Sequence, residues 1–347
     1  MTGLVLGGGG VRGSYQVGVY LALRKSHIKL DGFTGSSIGA FNAAMLASNR
    51  SRELLKFWQT TEIVKIFGFS DELIKLANSD KFDLKIIKAG FNDIVKIIKN
   101  KGISTDNLIN TVNSLNLEES LFKSKKDFGL VTVRAKDFKP FYIFKEDIKK
   151  GKLTDYLMAS CYLPIFKMEK LIDDNYYLDG GFYDYAPANA MLYRGYDKVY
   201  VVDLDAIGYR RKYKDKDKVI IIKPSRKLGS IININESRVR ENILMGYYDT
   251  LKIVKNLDGY KYIFKNKSDS YYRFLIRKVS KKKLKEMQKL FRTINDKKLV
   301  LKALEYVMDK ENFSYYEVYS PMKVIKKVKK LDKDYGVYNF VKKMQFL

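Results

Sequence analysis

The chain has 347 residues, 46% hydrophobic and 30% charged, enough apolar content for a sizeable core and too much for a disordered chain. Its 66 Lys+Arg against 39 Asp+Glu leave a formal charge of +27, a field that favours an anionic membrane surface or nucleic acid. One cysteine, Cys161, and one histidine, His27, exclude an internal disulfide and a paired-cysteine zinc site, and no metal or cofactor is expected.

The chain opens on "LVLGGGGVRGSYQVGVY" (4–20), whose first apolar residues predict a short buried strand over 4–6. From Gly8 to Gly13 the loop spells G-x-G-x-x-G, through Gly9, Gly10, Val11 and Arg12. That spacing cradles a dinucleotide pyrophosphate, and the same converging N–H groups equally hold an oxyanion during acyl transfer. A helix follows over 14–25, with Val17, Tyr20, Leu21 and Leu23 on or near one side. His27 sits just beyond it, as a surface or capping residue. "IKLDGFTG" (28–35) predicts a second strand region ending in a turn, and "GAFNAAMLAS" (39–48) a helix packed closely on a sheet. No basic, then apolar leader precedes the first strand, and no apolar run approaches the ~18 residues that span a bilayer. The expectation is a soluble cytoplasmic protein with peripheral contact at an anionic membrane.

Residues 51–125 carry no strand pattern. "FNDIVKIIKN" (91–100) spaces Phe91, Ile94, Val95 and Ile98 as an amphipathic helix, and "STDNLINTVNSL" follows Ser104 or Thr105 with Leu108, Ile109, Val112 and Leu115. A helical insertion over about 50–126 is expected. Strands resume at 129–135 and 139–145. The continuous apolar runs "KVYVVDL" (198–204) and "KVIIIKPS" (218–225) predict strands buried on both faces. Strands alternating with helices imply an α/β fold, a mostly parallel central sheet flanked by helices. From about 266 the chain is basic and helical, as in "KKKLKEMQKLF" and "PMKVIKKVKKL". The stripe at 322–331, with lysines opposite its apolar residues, suits either an anionic lipid surface or packing into a core.

Two further motifs carry chemistry. "TGSSIGAFNAA" (34–44) holds G-x-S-x-G at Gly35, Ser37 and Gly39, with Ser36 and Ile38 between them. Between a strand and a helix this is a nucleophile elbow, which exposes the serine Oγ above the sheet at a helix N-terminus. An ordinary N-cap is the plain alternative, and Ser36 competes for the same role. The one histidine precedes Ser37, so the order serine, acid, histidine is impossible and the base must be a carboxylate or lysine. "YYLDGGFYDYAPANA" (176–190) offers Asp179 at a strand end before Gly180 and Gly181. A plain Asp-Gly turn is the alternative, and Asp184 is a weaker competitor.

In order, "GGGVRG" (8–13), "GSSIGAFNAA" (35–44) and "DGGFYDYAP" (179–187) resemble the patatin-like phospholipases, with "MASCYLPIF" (158–166) as a further match. The resemblance covers about residues 3–225, with a fainter reach to 264, and leaves 265–347 as a basic, mainly helical extension of a 1–264 catalytic domain. It implies a Ser37–Asp179 dyad without histidine. It further implies N–H groups of Gly9 and Gly10 as oxyanion donors, and Arg12 fixing the loop or adding positive potential. The implied reaction is hydrolysis of a phospholipid or another long-chain acyl ester through an acyl-serine. Two positions depart from the family pattern: Gly7, where Ser or Asp is frequent, and Tyr185, where Asn is frequent. Acyl transfer to an alcohol uses the same dyad. A dinucleotide-binding protein, with Asp31 as the ribose acid, and a nucleic-acid-binding protein are the alternatives from other classes, although no specific nucleic acid is expected. The oligomeric state is not legible.

Overall fold

The computed structural model describes residues 1–60, 104–163, 166–231 and 236–345, so the amphipathic segment expected at 91–100 lies outside the described residues. The chain divides into two compact units, Met1–Tyr247 and Tyr248–Leu347. Residues 248–264, assigned above to the catalytic portion, fall in the second unit.

The first unit is built on a seven-stranded sheet, and its elements follow the sequence pattern closely. β1 (Thr2–Leu6), β2 (Gly32–Ser36), β3 (Asp127–Arg134), β6 (Lys198–Val202) and β7 (Val219–Ile222) run parallel in the order β3-β2-β1-β6-β7. β4 (Lys139–Phe144) and β5 (Tyr177–Asp179) both pair antiparallel to β3. Central β1 has Leu4, Val5 and Leu6 fully buried, as a strand covered on both faces requires. β7 departs from that expectation. It pairs only with β6, at the sheet edge, and Ile221 is exposed.

β3 decides the layout. On one edge it pairs along its length with β4; on the other, the C-terminal ends of β2 and β5 abut. Ser36, the last residue of β2, pairs with Val131, and Asp179, the last residue of β5, pairs with Thr132. Two chain segments running in opposite directions therefore meet end to end on consecutive residues of β3.

α1 (Ser14–Lys25) follows the glycine loop and α2 (Ile38–Ala47) follows β2. Every residue of α2 is buried, which its run of small and apolar residues permits. α3 (Ser51–Gln59), α4 (Asp106–Ser114) and α5 (Leu117–Lys123) are the described parts of the expected helical insertion. α6 (Leu153–Cys161), α7 (Ala188–Tyr193) and α8 (Glu236–Val254) follow, and the division between units falls inside α8.

A buried polar network ties the glycine loop to these helices. Gln16 Nε2 donates to Gly7 O at 2.7 Å, and Asn42 Nδ2 donates to Gly13 O at 3.1 Å and to Gln16 Oε1 at 2.7 Å. Trp58 Nε1 donates to Asn42 Oδ1 at 3.0 Å. Each polar end is satisfied, so the network fixes both ends of the loop instead of costing stability.

In the second unit, α9 (Asp269–Ile276), α10 (Lys281–Phe291) and α11 (Asp296–Lys310) each start on a side-chain cap, Ser268, Ser280 and Asn295 respectively. α12 (Pro321–Lys329) and α13 (Gly336–Lys342) complete the unit, with a two-stranded parallel ladder of β8 (Ile263–Phe264) and β9 (Val318–Tyr319). The unit has its own core, centred on Leu299, Leu304 and Val307 of α11. Val324, Ile325 and Val328 of α12 belong to that core, so the stripe at 322–331 packs inward and is not free to lie on a membrane.

Trp58 is the single tryptophan and reports directly on the Asn42 network. Asn42→Ala leaves Trp58 Nε1 and Gly13 O buried without partners, and should lower stability by about 2–4 kcal/mol. Chemical denaturation followed by Trp58 fluorescence should show an earlier midpoint with an unchanged slope.

Candidate active site

Ser37 stands between β2 and α2 with φ 56° and ψ −134°, a strained backbone for a residue bearing a Cβ. The strain is held from both sides. Ser37 N–H donates to Ser160 Oγ at 3.1 Å, and Ser160 Oγ donates to Val131 O at 2.8 Å. On the far side of the turn, a Cβ at Gly39 would overlap the Leu6 carbonyl oxygen, so only glycine lets α2 start this close to β1. Ser37 precedes the first turn of α2, whose N-terminal N–H groups favour negative charge beside it. Ser36 is fully buried and its Oγ has no hydrogen-bond partner.

Asp179 ends β5. Its N–H donates to Tyr162 O at 2.8 Å, and its Oδ1 accepts Gly181 N–H at 2.8 Å. Gly180 packs against the Val131 carbonyl, where a Cβ would collide. The carboxylate is buried, and Oδ2 makes no hydrogen bond in the resting geometry. Burial pushes its pKa up to about 6, against the pull of hydrogen bonding from the Ser37 hydroxyl and Gly181 N–H. The Ser37 hydroxyl is thus near enough to act on the carboxylate, while Oδ2 still lacks a short bond, as is common before substrate arrives. Asp184, the competitor, is also buried and raised to about 6. It accepts the Tyr142 hydroxyl at 2.9 Å, which commits it elsewhere.

The glycine loop passes beside the elbow: a Cβ at Gly8 would lie 3.2 Å from Ser37 Cβ. Gly9 and Gly10 have φ of 150° and 55°, conformations that L side chains rarely adopt. Most loop donors are already occupied. Gly8 N–H donates to Tyr185 O, Val11 N–H to Ile231 O, and Arg12 N–H to Gly9 O. Among the described residues, no backbone acceptor takes the N–H groups of Gly9 and Gly10. Arg12 fixes the loop, since Nε donates to Gly229 O at 2.8 Å and Nη1 to Asp205 O at 3.0 Å.

The dinucleotide reading fails on geometry. Asp31 accepts Thr2 N–H at 2.8 Å, at the start of β1, the opposite end of that strand from the glycine loop. His27 is exposed, and its N–H closes the turn after α1 on Arg24 O.

The sequence profile described as Patatin-like phospholipase matches residues 4–192, more than half of the chain. The chain belongs to the patatin-like phospholipase family. It is 27% identical over 207 residues to "Lysophospholipase nte1" of Aspergillus terreus, a match covering 59% of this chain and 12% of that one. It is 26% identical over 275 residues to "Lysophospholipase NTE1" of Kluyveromyces lactis, covering 76% of this chain and 17% of that protein. The chain thus spans less than a fifth of the length of these relatives. Among solved structures, VipD from Legionella pneumophila aligns over 98% of this chain and 83% of its own, with 15% identity and a TM-score of 0.48.

Against the pattern of patatin-like phospholipases, the two departures turn out to be one. A Cβ at Gly7 would lie 2.7 Å from the Tyr185 ring, so the side chain missing at 7 is the space the ring fills. Tyr185 is fully buried, accepts Leu204 N–H on its hydroxyl at 2.8 Å, and accepts Gly8 N–H on its carbonyl. It holds the glycine loop from below. Sequence reasoning missed this residue as a support, along with Ser160 behind the elbow. The only local signal for Ser160 was the Ala-Ser of "MASCYLPIF".

Gly7→Ser should destabilise the protein by about 1–3 kcal/mol through overpacking, and by much less in a Tyr185→Asn background. A double-mutant cycle by chemical denaturation measures that coupling. Asp179 generates a second expectation. Because its carboxyl titrates higher folded than unfolded, ionising it opposes folding, and stability falls as pH rises from about 4 to about 6. Asp179→Asn should remove its part of that decline and stabilise the protein at pH 7, by roughly 3 kcal/mol at most. Unfolding curves across pH 4–7 check the sign.

Proposed function

We propose that the protein is a serine lipid acyl hydrolase working through Ser37 and Asp179. The observation that carries this is the meeting of the strained Ser37 elbow with a buried carboxylate that has one free oxygen. Asp179 takes the Ser37 proton as Oγ attacks the ester carbonyl carbon. Negative charge then builds on the carbonyl oxygen, where the N–H groups of Gly9 and Gly10 and the N-terminus of α2 meet it. The carbon–oxygen bond to the alcohol breaks, the leaving oxygen receives the proton from Asp179, and the acyl group remains on Oγ. Water, deprotonated by Asp179, attacks the acyl-serine, Asp179 returns that proton to Oγ, and the product leaves as the carboxylic acid, which ionises in solution.

An ordinary aspartate is a weak base near neutral pH, and burial corrects this by raising Asp179 to about 6. The family and the names of its curated relatives support a phospholipid or lysophospholipid as the ester.

A fluorophosphonate serine probe should label the wild type and not Ser37→Ala; equal labelling of both would overturn the nucleophile. Asp179→Asn should lower kcat by a factor of at least 100 with a smaller change in KM, measured on a soluble short-chain ester. Activity of the wild type should fall as pH drops through about 6, because only the ionised Asp179 accepts the serine proton.

A further inference from the structure

The dyad chemistry does not account for a cluster of exposed apolar and aromatic side chains beside the Asp179 turn. Tyr209 N–H donates to Gly181 O at 2.9 Å, and Tyr185 N–H donates to Tyr209 O at 2.8 Å. These two bonds clamp the segment around 207–211 to the turn that carries Asp179. Apolar side chains on this face point to water: Ile207 is 53% exposed, Tyr209 59%, and Phe182, immediately after Gly181, 40%. Packing does not explain them.

Arg211, half-buried, donates its Nε to Tyr183 O at 3.3 Å and pulls on the Asp184 carboxylate. Its guanidinium lies 3.7 Å from the Tyr183 ring centroid and 5.2 Å from that of Tyr209. Neighbouring Arg210 pairs with Asp203 at 3.0 Å and donates to Ala206 O. Exposed aromatic and aliphatic side chains beside a stacked Arg are the composition that partitions into a headgroup layer. The rings bury apolar area at that depth, and each nearby cation gains from the negative surface potential.

We propose that this rim, formed by Phe182, Ile207 and Tyr209 with Arg211 stacked on Tyr209, seats the protein on an anionic phospholipid bilayer with the Asp179 turn facing the lipid. The net charge of +27 complements such a surface. The stripe of α12, which is buried, does not supply this contact. The link to catalysis rests on the hydrolase reading; the binding itself does not.

Ser37→Ala protein should co-sediment with vesicles of phosphatidylcholine containing phosphatidylserine, more weakly with phosphatidylcholine alone, and less as salt rises. In that background, Ile207→Ser with Tyr209→Ser should reduce partitioning about tenfold, as should Phe182→Ser with Tyr209→Ser. Ile294→Ser, at an exposed apolar residue of the second unit, serves as the control and should change nothing. With Ser37 intact, the rim variants should keep hydrolysis of a soluble monomeric ester within about threefold while losing hydrolysis of vesicle lipid. Wild-type binding by both rim variants overturns the proposal, as does equal binding to neutral and anionic vesicles. Rim-dependent binding with no ester hydrolysis would leave the rim standing and overturn the hydrolase reading alone.

Discussion

The site depends on the register of one strand. Val131 and Thr132 are consecutive in β3, and they pair with the last residues of two segments 143 positions apart in sequence. β2 runs parallel to β3 and β5 antiparallel, so Ser36 and Asp179 arrive head to head and both chains turn away at the same place. The β3 side chains and carbonyls reinforce this. Val131 O accepts Ser160 Oγ, which supports the Ser37 N–H, and Thr132 Oγ1 donates to Ala159 O at 2.7 Å and Leu178 O at 3.1 Å. A one-residue slip of β5 would carry Asp179 to the other face of the sheet.

Such a site is locally unfavourable, and the surrounding structure has to hold it. Ser37 has a strained backbone, Ser36 Oγ and Asp179 Oδ2 are buried without hydrogen bonds, and two carboxyl groups are held near pKa 6 by burial. Each of these costs on the order of 1–3 kcal/mol. The compensation is concentrated in the glycine loop. Gln16 and Asn42 hold its two ends, Arg12 fastens it to Gly229 and Asp205, and Tyr185 fills the space below Gly7. The loop is therefore rigid for a reason that has nothing to do with glycine flexibility. Its glycines allow the conformation, and polar anchors enforce it.

The parts of this arrangement that depend on short-range pattern were legible in the sequence. Apolar runs place the strands of the first unit to within a few residues, and helical spacing places the helix beginning at Ser14, because burial and periodicity leave direct traces; the two short strands of the second unit leave none. The elbow and the Asp-Gly-Gly turn were legible for the same reason: close backbone approach demands glycine at fixed offsets. Pairings between distant residues left no such trace. Beyond an Ala-Ser dipeptide, nothing local marks Ser160 as the support of Ser37, and nothing shows that Gly7 is small because Tyr185 is large. The stripe of α12 was equally ambiguous, since a core and a membrane ask for the same spacing. Only the partners Val324, Ile325 and Val328 find in their own unit decide it. The edge position of β7 was hidden likewise, because strand order is a property of the whole sheet.

The glycine loop shows why spacing alone could not separate a phosphate cradle from an oxyanion site. Both use backbone N–H groups at a helix start, and both require G-x-G-x-x-G. They differ in how many donors remain free. A pyrophosphate takes several, including those of the helix's first turn. Here Gly8, Val11 and Arg12 N–H groups are already bonded to Tyr185, Ile231 and Gly9, which leaves Gly9 and Gly10 without a backbone acceptor among the described residues. Two adjacent donors suit a single oxygen, as the proposed oxyanion role requires. The acid that would have read a ribose stands at the wrong end of β1. Occupancy of the N–H groups, more than the motif, is what favours the proposed oxyanion role over a phosphate cradle.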